Sequence, residues 1–208
     1  MNELLESVRV VPVVVLDNAE DAIPVAEALR DGGLSIIEVT LRTAAAPDAI
    51  YQIAQEVPDV VIGAGTVLNA EQVGIAAGSG ARFVVSPGLH ESVVAEARSL
   101  DLPVYPGVST ATEAQAAWNM GLKSLKFFPA GQAGGVPMLK ALSSVFRDVT
   151  FMPTGGITTA NLLEYLQLPS VIACGGSWLT PTKAIEARDF EAITKLAADA
   201  CTLVEELN

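Results

Sequence analysis

Histidine is nearly absent from this sequence. His90 is the single one among 208 residues, which takes most of the ground from a His-rich metal site and from a His-based catalytic triad. Cysteine is scarce as well. Cys174 lies in an apolar, glycine-flanked stretch and Cys201 in a helical tail. Two such residues make no disulfide framework and read as free thiols of a reducing cytosol, so a cytoplasmic location is expected. Aromatic residues make up only 5% against 50% hydrophobic residues, so the core must be built from Val, Ile, Leu and Ala. Cations are outnumbered: 12 Lys and Arg face 24 Asp and Glu, a net charge of −12. Neither phosphate backbones nor anionic lipids attract an acidic surface, and neither nucleic acid nor membrane is expected as a partner. A local pocket can still hold a small anion. No apolar run reaches the roughly 18 residues that a membrane span needs. The start, MNELLESVRV, lacks a basic segment followed by a long apolar stretch, and no signal peptide is expected.

What the chain has is a rhythm. Short β-branched runs occur at Arg9–Leu16, Leu34–Leu41, Val60–Gly63, Arg82–Ser86, Pro103–Tyr105, Ser124–Phe128, Val149–Pro153 and Ser170–Cys174. Between them lie Ala- and Glu-rich stretches of helical spacing, such as Ala19–Arg30, Glu91–Leu100, Ala111–Met120 and Ala160–Leu166. Asp17-Asn18 can cap the first of these and Asp31-Gly32-Gly33 can stop it. Strands alternating with helices predict βαβ units and a parallel sheet, and eight of each predict a closed (β/α)8 TIM barrel, an α/β fold. The rival is an open doubly wound sheet, but no run is followed by G-x-G-x-x-G. A single domain over residues 1–208 is expected. Residues 1–8 form a short helix, centred on Asn2–Ser7, that can cover the barrel's bottom. The tail Ala184–Asn208 serves as the last helix.

Strand alternation locates the charged groups. In the second run Ile37, Val39 and Leu41 share one face, and Glu38, Thr40 and Arg42 share the other. In the sixth, Leu125 and Phe127 oppose Lys126 and Phe128. A helix layer demands the apolar face, so the polar sets point into the barrel near its C-terminal mouth. A strand carboxylate most often faces water, and a lone lysine most often snorkels at an edge. A parallel barrel leaves neither option except at the mouth. The competing reading is a structural Lys–Glu ion pair, since an unpaired buried charge is costly. An amine in a low-dielectric pocket beside a cation is pushed toward its neutral, nucleophilic form. That is the logic of a Schiff-base lysine, with Glu38 moving protons and Arg42 supplying the cation. Thr154-Gly155-Gly156 follows the seventh run and Gly175-Gly176-Ser177 the eighth, a glycine pair in each. Barrel enzymes frequently bind phosphate there through backbone N–H groups.

The chain resembles the class I aldolases of 2-keto-3-deoxy-6-phosphogluconate (KDPG) and 4-hydroxy-2-oxoglutarate (KHG). The matching words are VVPVVVLDNAEDAIPVAEAL at Val10–Leu29, GGLSIIEVTLRT at Gly32–Thr43, IGAGTVLN at Ile62–Asn69, FVVSPGL at Phe83–Leu89, PVYPGVSTATEA at Pro103–Ala114, LKFFPA at Leu125–Ala130, PTGGIT at Pro153–Thr158 and GGSWL at Gly175–Leu179. They cover nearly the whole chain in family order. The resemblance implies a Schiff-base role for Lys126 and a general acid/base role for Glu38. It implies that Arg42 and Thr66 clamp the pyruvyl carboxylate, that Pro87 and Phe128 wall the pyruvyl part, and that Gly155, Gly156, Gly176 and Ser177 hold the phosphate. It further implies a homotrimer without metal or other cofactor, acting on a phosphorylated 2-keto-3-deoxy sugar acid in the Entner–Doudoroff pathway. Products are pyruvate and an aldehyde, and 4-hydroxy-2-oxoglutarate is a second substrate. After KFFPA the sequence reads GQAGG, Gly131–Gly135, where family members carry a Glu and an Asn; this loop can shape the aldehyde end. Thr154, in the place where relatives acting on the galactonate epimer carry Val, favours the gluconate substrate over that alternative. Two other readings are an acid/base enzyme on a phosphate-binding barrel and a sugar-phosphate sensor. The first needs a second inward carboxylate or a histidine, and no good candidate is present; Asp17, after the first run, is the best of a poor set. An intact Lys126 and Glu38 count against the second.

Overall fold

A parallel sheet whose strands are apolar on both faces must be covered on both, by helices outside and by itself within. The computed structural model, which describes residues 1–207, meets this with a ring of strands. These are β1 (Val10–Val14), β2 (Ile36–Thr40), β3 (Val61–Gly65), β4 (Val84–Ser86), β5 (Val104–Val108), β6 (Ser124–Phe127), β7 (Thr150–Pro153) and β8 (Cys174–Gly176). Paired strands run parallel in the order β7-β6-β5-β4-β3-β2-β1-β8. Isolated bridges from Phe151 to Val171 and from Thr154 to Gly175 join the two ends. The helices are α1 (Asn2–Val8), α2 (Ala22–Asp31), α3 (Ala46–Glu56), α4 (Ala70–Gly78), α5 (Glu91–Ser99), α6 (Ala111–Asn119), α7 (Gly135–Val145), α8 (Leu162–Leu166), α9 (Thr182–Glu186) and α10 (Phe190–Glu205). The expected (β/α)8 barrel is therefore the architecture.

Alternation along each strand divides the core in two. Ile37 and Val39 of β2 and Leu125 and Phe127 of β6 belong to an outer cluster under the helices. Val11, Ile36, Val85, Tyr105 and Met152 belong to an inner one, with Phe83. Gly63 makes room for the Phe83 ring, because any Cβ there would collide with it. α1 lies at the lower end. Leu5, 1% exposed, joins the inner cluster, and the Tyr105 hydroxyl donates to Asn2 Oδ1 at 2.8 Å. Burial pushes the Tyr105 phenol well above its ordinary range, so it stays a donor. The bottom of the barrel is thus packed shut, and chemistry is left to the upper end.

Three local expectations need correction. The eighth strand is Cys174–Gly176, not Ser170–Cys174: Val171 is held only by a bridge, while Cys174, Gly175 and Gly176 pair with Val10, Val11 and Pro12. The glycine pair is thus part of the strand and does not follow it. The tail is two helices, broken where Arg188 adopts a left-handed φ of 53° and Asp189 caps α10 by accepting from Ala192 N–H at 3.1 Å. Asn208, the end of that expected tail, lies outside the described residues. Asn18 begins a 3-10 turn, Ala19–Asp21, without a side-chain cap, because that turn separates it from α2. The glycine stop holds: Gly33 has φ of 97° and donates to Arg30 carbonyl at 2.8 Å.

Truncating Leu5→Ala should open a void in the inner cluster and cost about 3 kcal/mol. Urea unfolding at neutral pH checks this; a loss below about 1 kcal/mol would mean that α1 does not plug the barrel.

Candidate active site

β2 and β6 face each other across the upper barrel, and the alternation that buries Ile37 and Leu125 outward turns Glu38 and Lys126 inward. Glu38 is 0% exposed and Lys126 3%. Lys126 Nζ lies 3.5 Å from Glu38 Oε1. A pair of opposite charges this deeply desolvated is tolerable only because each offsets the other. Glu38 Oε2, by contrast, is buried and has no hydrogen-bond partner among the described residues. A carboxylate oxygen left without a donor is costly unless a bound molecule supplies one. The same ammonium sits 5.1 Å from the centroid of the Phe128 ring, a cation–π distance that also walls off one side of the amine.

Neighbouring strands leave space for this pair. Gly65, at the end of β3 beside Thr40, stands where a Cβ would collide with Glu38 Oε1 and come within 2.7 Å of its Cγ. Gly107, paired with Lys126, stands where a Cβ would collide with the Pro87 carbonyl. Sequence reading missed both glycines; their signal is a glycine inside a strand at an inward position, which marks a close approach. Thr66 follows Gly65 with a left-handed φ of 55°. For a β-branched residue that is a genuine outlier, of the kind that collects at functional sites.

Contrary to what the alternation predicts, Arg42 is not inside the barrel. β2 ends at Thr40, and Arg42 N–H donates to the Thr40 carbonyl at 2.7 Å, so the pattern stops and the side chain lies exposed at the rim. There its Nε donates to Thr66 Oγ1 at 2.9 Å, which brings the two expected carboxylate ligands together. Pro87 is half-buried just past β4. Gly155 and Gly156 have φ of 94° and 78°, conformations that favour glycine. A Cβ on Gly155 would touch the Phe128 ring at 3.3 Å, so the first glycine pair adjoins the amine pocket. The Thr154–Gly175 bridge places the second pair on the adjacent strand. Gly176 packs under the Trp178 ring, where a Cβ would collide, and Ser177 is exposed. Among the described residues, the N–H groups of Gly156 and Ser177 donate to no protein acceptor. The arrangement places an amine, a carboxylate, a guanidinium and a strip of backbone donors around one mouth.

Known proteins resemble this chain in sequence and in fold. The sequence model of the family described as KDPG and KHG aldolase matches residues 1–196. The 2-dehydro-3-deoxy-phosphogluconate aldolase of Treponema pallidum (strain Nichols) is 48% identical over 202 residues, 97% of this chain and 96% of that one. The KHG/KDPG aldolase of Escherichia coli (strain K12) is 49% identical over 197 residues, 95% of this chain and 92% of that one. Among solved structures, a KDPG aldolase from Legionella pneumophila, with pyruvate captured as a covalent carbinolamine intermediate, superposes with a TM-score of 0.93. It is 43% identical, over 96% of this chain and 97% of that one. Fold, inward lysine and extent of match together make this chain a member of the KDPG and KHG aldolase family.

Proposed function

We propose that Lys126 and Glu38 are the reacting pair of a class I aldolase that cleaves 2-keto-3-deoxy-6-phosphogluconate to pyruvate and D-glyceraldehyde 3-phosphate. The observation that carries the residue assignment is the buried amine 3.5 Å from a carboxylate whose other oxygen is free. The aldolase activity is that of the family, and the pairing of both substrate names in the Escherichia coli relative extends it to 4-hydroxy-2-oxoglutarate.

The chemistry runs through the amine. Lys126 Nζ, once deprotonated, adds to the C2 ketone to give a carbinolamine, and loss of water leaves an iminium. Its positive nitrogen accepts the electron pair of the breaking C3–C4 bond. Glu38, through a water, takes the proton of the C4 hydroxyl as that oxygen becomes the aldehyde carbonyl. Glyceraldehyde 3-phosphate leaves. The enamine is protonated at C3, and water hydrolyses the iminium to release pyruvate and free Nζ. Arg42, oriented through Thr66, pairs with the substrate carboxylate in a charge-assisted bond, and Pro87 and Phe128 flank the pyruvyl carbons. Gly155, Gly156, Gly176 and Ser177 receive the phosphate on backbone and hydroxyl donors. Thr154, buried between β7 and β8, supports the gluconate over the galactonate epimer as substrate.

The whole chain acts as one domain in this reading, and its assembly is a homotrimer. Val145 at 72% exposure and Trp118 at 43% offer apolar surface for that contact. No helix among the described residues is long and apolar enough to cross a membrane. With Cys174 and Cys201 unpaired, this fits a cytoplasmic enzyme.

Borohydride reduction with pyruvate should leave a single adduct on the Lys126 peptide, read by mass spectrometry, and Lys126→Ala should abolish both adduct and cleavage. An adduct on another lysine would void the assignment. Glu38→Gln should still form the adduct yet lower kcat by about a hundredfold or more; unchanged turnover would remove Glu38 from the proton transfers. Sedimentation equilibrium should give about three times the 21.6 kDa of one chain, and a monomer would refute the trimer.

A further inference from the structure

The loop between β6 and α7 is laced to the loop that follows β7. Ala130 N–H donates to the Thr154 carbonyl at 2.8 Å, and Gly131 N–H to the Gly155 carbonyl at 2.9 Å. A Cβ on Gly156 would lie 3.4 Å from Gly131 Cα and 3.8 Å from Gln132 Oε1. These bonds carry the exposed Gln132 amide to the side of Gly156. The neighbouring amide is already engaged: Asn161 donates to the Gly156 carbonyl at 2.9 Å and accepts from Thr158 N–H at 2.8 Å. Gln132 has no hydrogen-bond partner among the described residues. No lysine or arginine among them bonds to Gly155, Gly156, Gly176, Ser177 or the 130–134 loop.

We propose that Gln132 is a specificity-determining residue that donates its side-chain N–H to the phosphate of the substrate. The inference rests on the aldolase reading and on phosphate binding at the glycine pairs. The physical reason is the charge balance at this end of the mouth. A phosphate monoester brings close to two negative charges, and the groups proposed to receive it, Gly155, Gly156, Gly176 and Ser177, are peptide dipoles and a hydroxyl. In such surroundings an amide donor to a charged oxygen is a charge-assisted bond, and no lysine or arginine is hydrogen-bonded to these groups to stand in for it. An amide also carries two N–H groups on a side chain that can turn either edge to the ligand. A carboxylate at the same position would be isosteric but would repel the phosphate.

The test is condensation of pyruvate with D-glyceraldehyde 3-phosphate and, in parallel, with D-glyceraldehyde, the same aldehyde without its phosphate. Gln132→Glu should raise KM for the phosphorylated aldehyde about tenfold or more, and Gln132→Ala about threefold to fivefold. For D-glyceraldehyde both variants should stay within about twofold of the unaltered enzyme, as should kcat and the borohydride-trapped pyruvate on Lys126. Equal changes with both aldehydes, or no change with the phosphorylated one, would overturn the assignment and leave the phosphate site standing. If the unaltered enzyme fails to prefer the phosphorylated aldehyde, the phosphate reading falls first and this inference with it.

Discussion

A carboxylate and an ammonium enclosed in the same barrel hold each other in place, and most of the upper half of this molecule follows from that pair. Neither Glu38 nor Lys126 reaches bulk water, so removing one partner would leave an uncompensated buried charge. The surrounding strands are arranged to tolerate both. Gly65 vacates the volume that the carboxylate occupies, and Gly107 lets the Pro87 carbonyl approach the strand beside Lys126. The bottom half compensates. It is filled by Phe83, Tyr105, Met152 and the Leu5 plug, and it supplies the burial that a polar cavity above cannot.

How much of this could be read beforehand depends on whether a side chain or only backbone carries the signal. β2 and β6 were legible because each alternates cleanly, apolar residues to the helices and charged residues to the interior. β8 was misplaced because its strand is Cys-Gly-Gly, with almost no side chain to declare it; pairing with Val10–Pro12 of β1 decides where it forms. β5 extends three residues past its predicted end, through Pro106 and Gly107, which alone suggest a terminus. Extending the alternation of β2 beyond the turn that ends it puts Arg42 in the interior, where the structure does not. The helical tail read as continuous because its periodicity survives the break at Arg188, whose backbone angle no residue pattern announces. The glycines that shape the pocket were invisible for a related reason: what matters about Gly65 is a side chain on another strand.

The two ends of the mouth use different physics. At the end proposed to hold the substrate carboxylate stands a full cation, Arg42, fixed by a hydroxyl. At the far end the candidate donors are uncharged and belong mostly to the backbone. This division lets a chain of net charge −12 handle an anionic substrate without a basic face. The unused groups are quiet. Burial pushes the Cys174 thiol well above its ordinary range, so it supplies no thiolate inside the barrel wall.

Thr66 holds a backbone conformation that glycine would adopt without strain, at a cost of the order of 1–3 kcal/mol. Its hydroxyl is what Arg42 bonds to. Folding and binding therefore want different residues at this one position: a chain improved for heat resistance alone would drift toward glycine there and leave the guanidinium unanchored. On the proposed role of Arg42, this is a place where thermal robustness and substrate grip trade against each other.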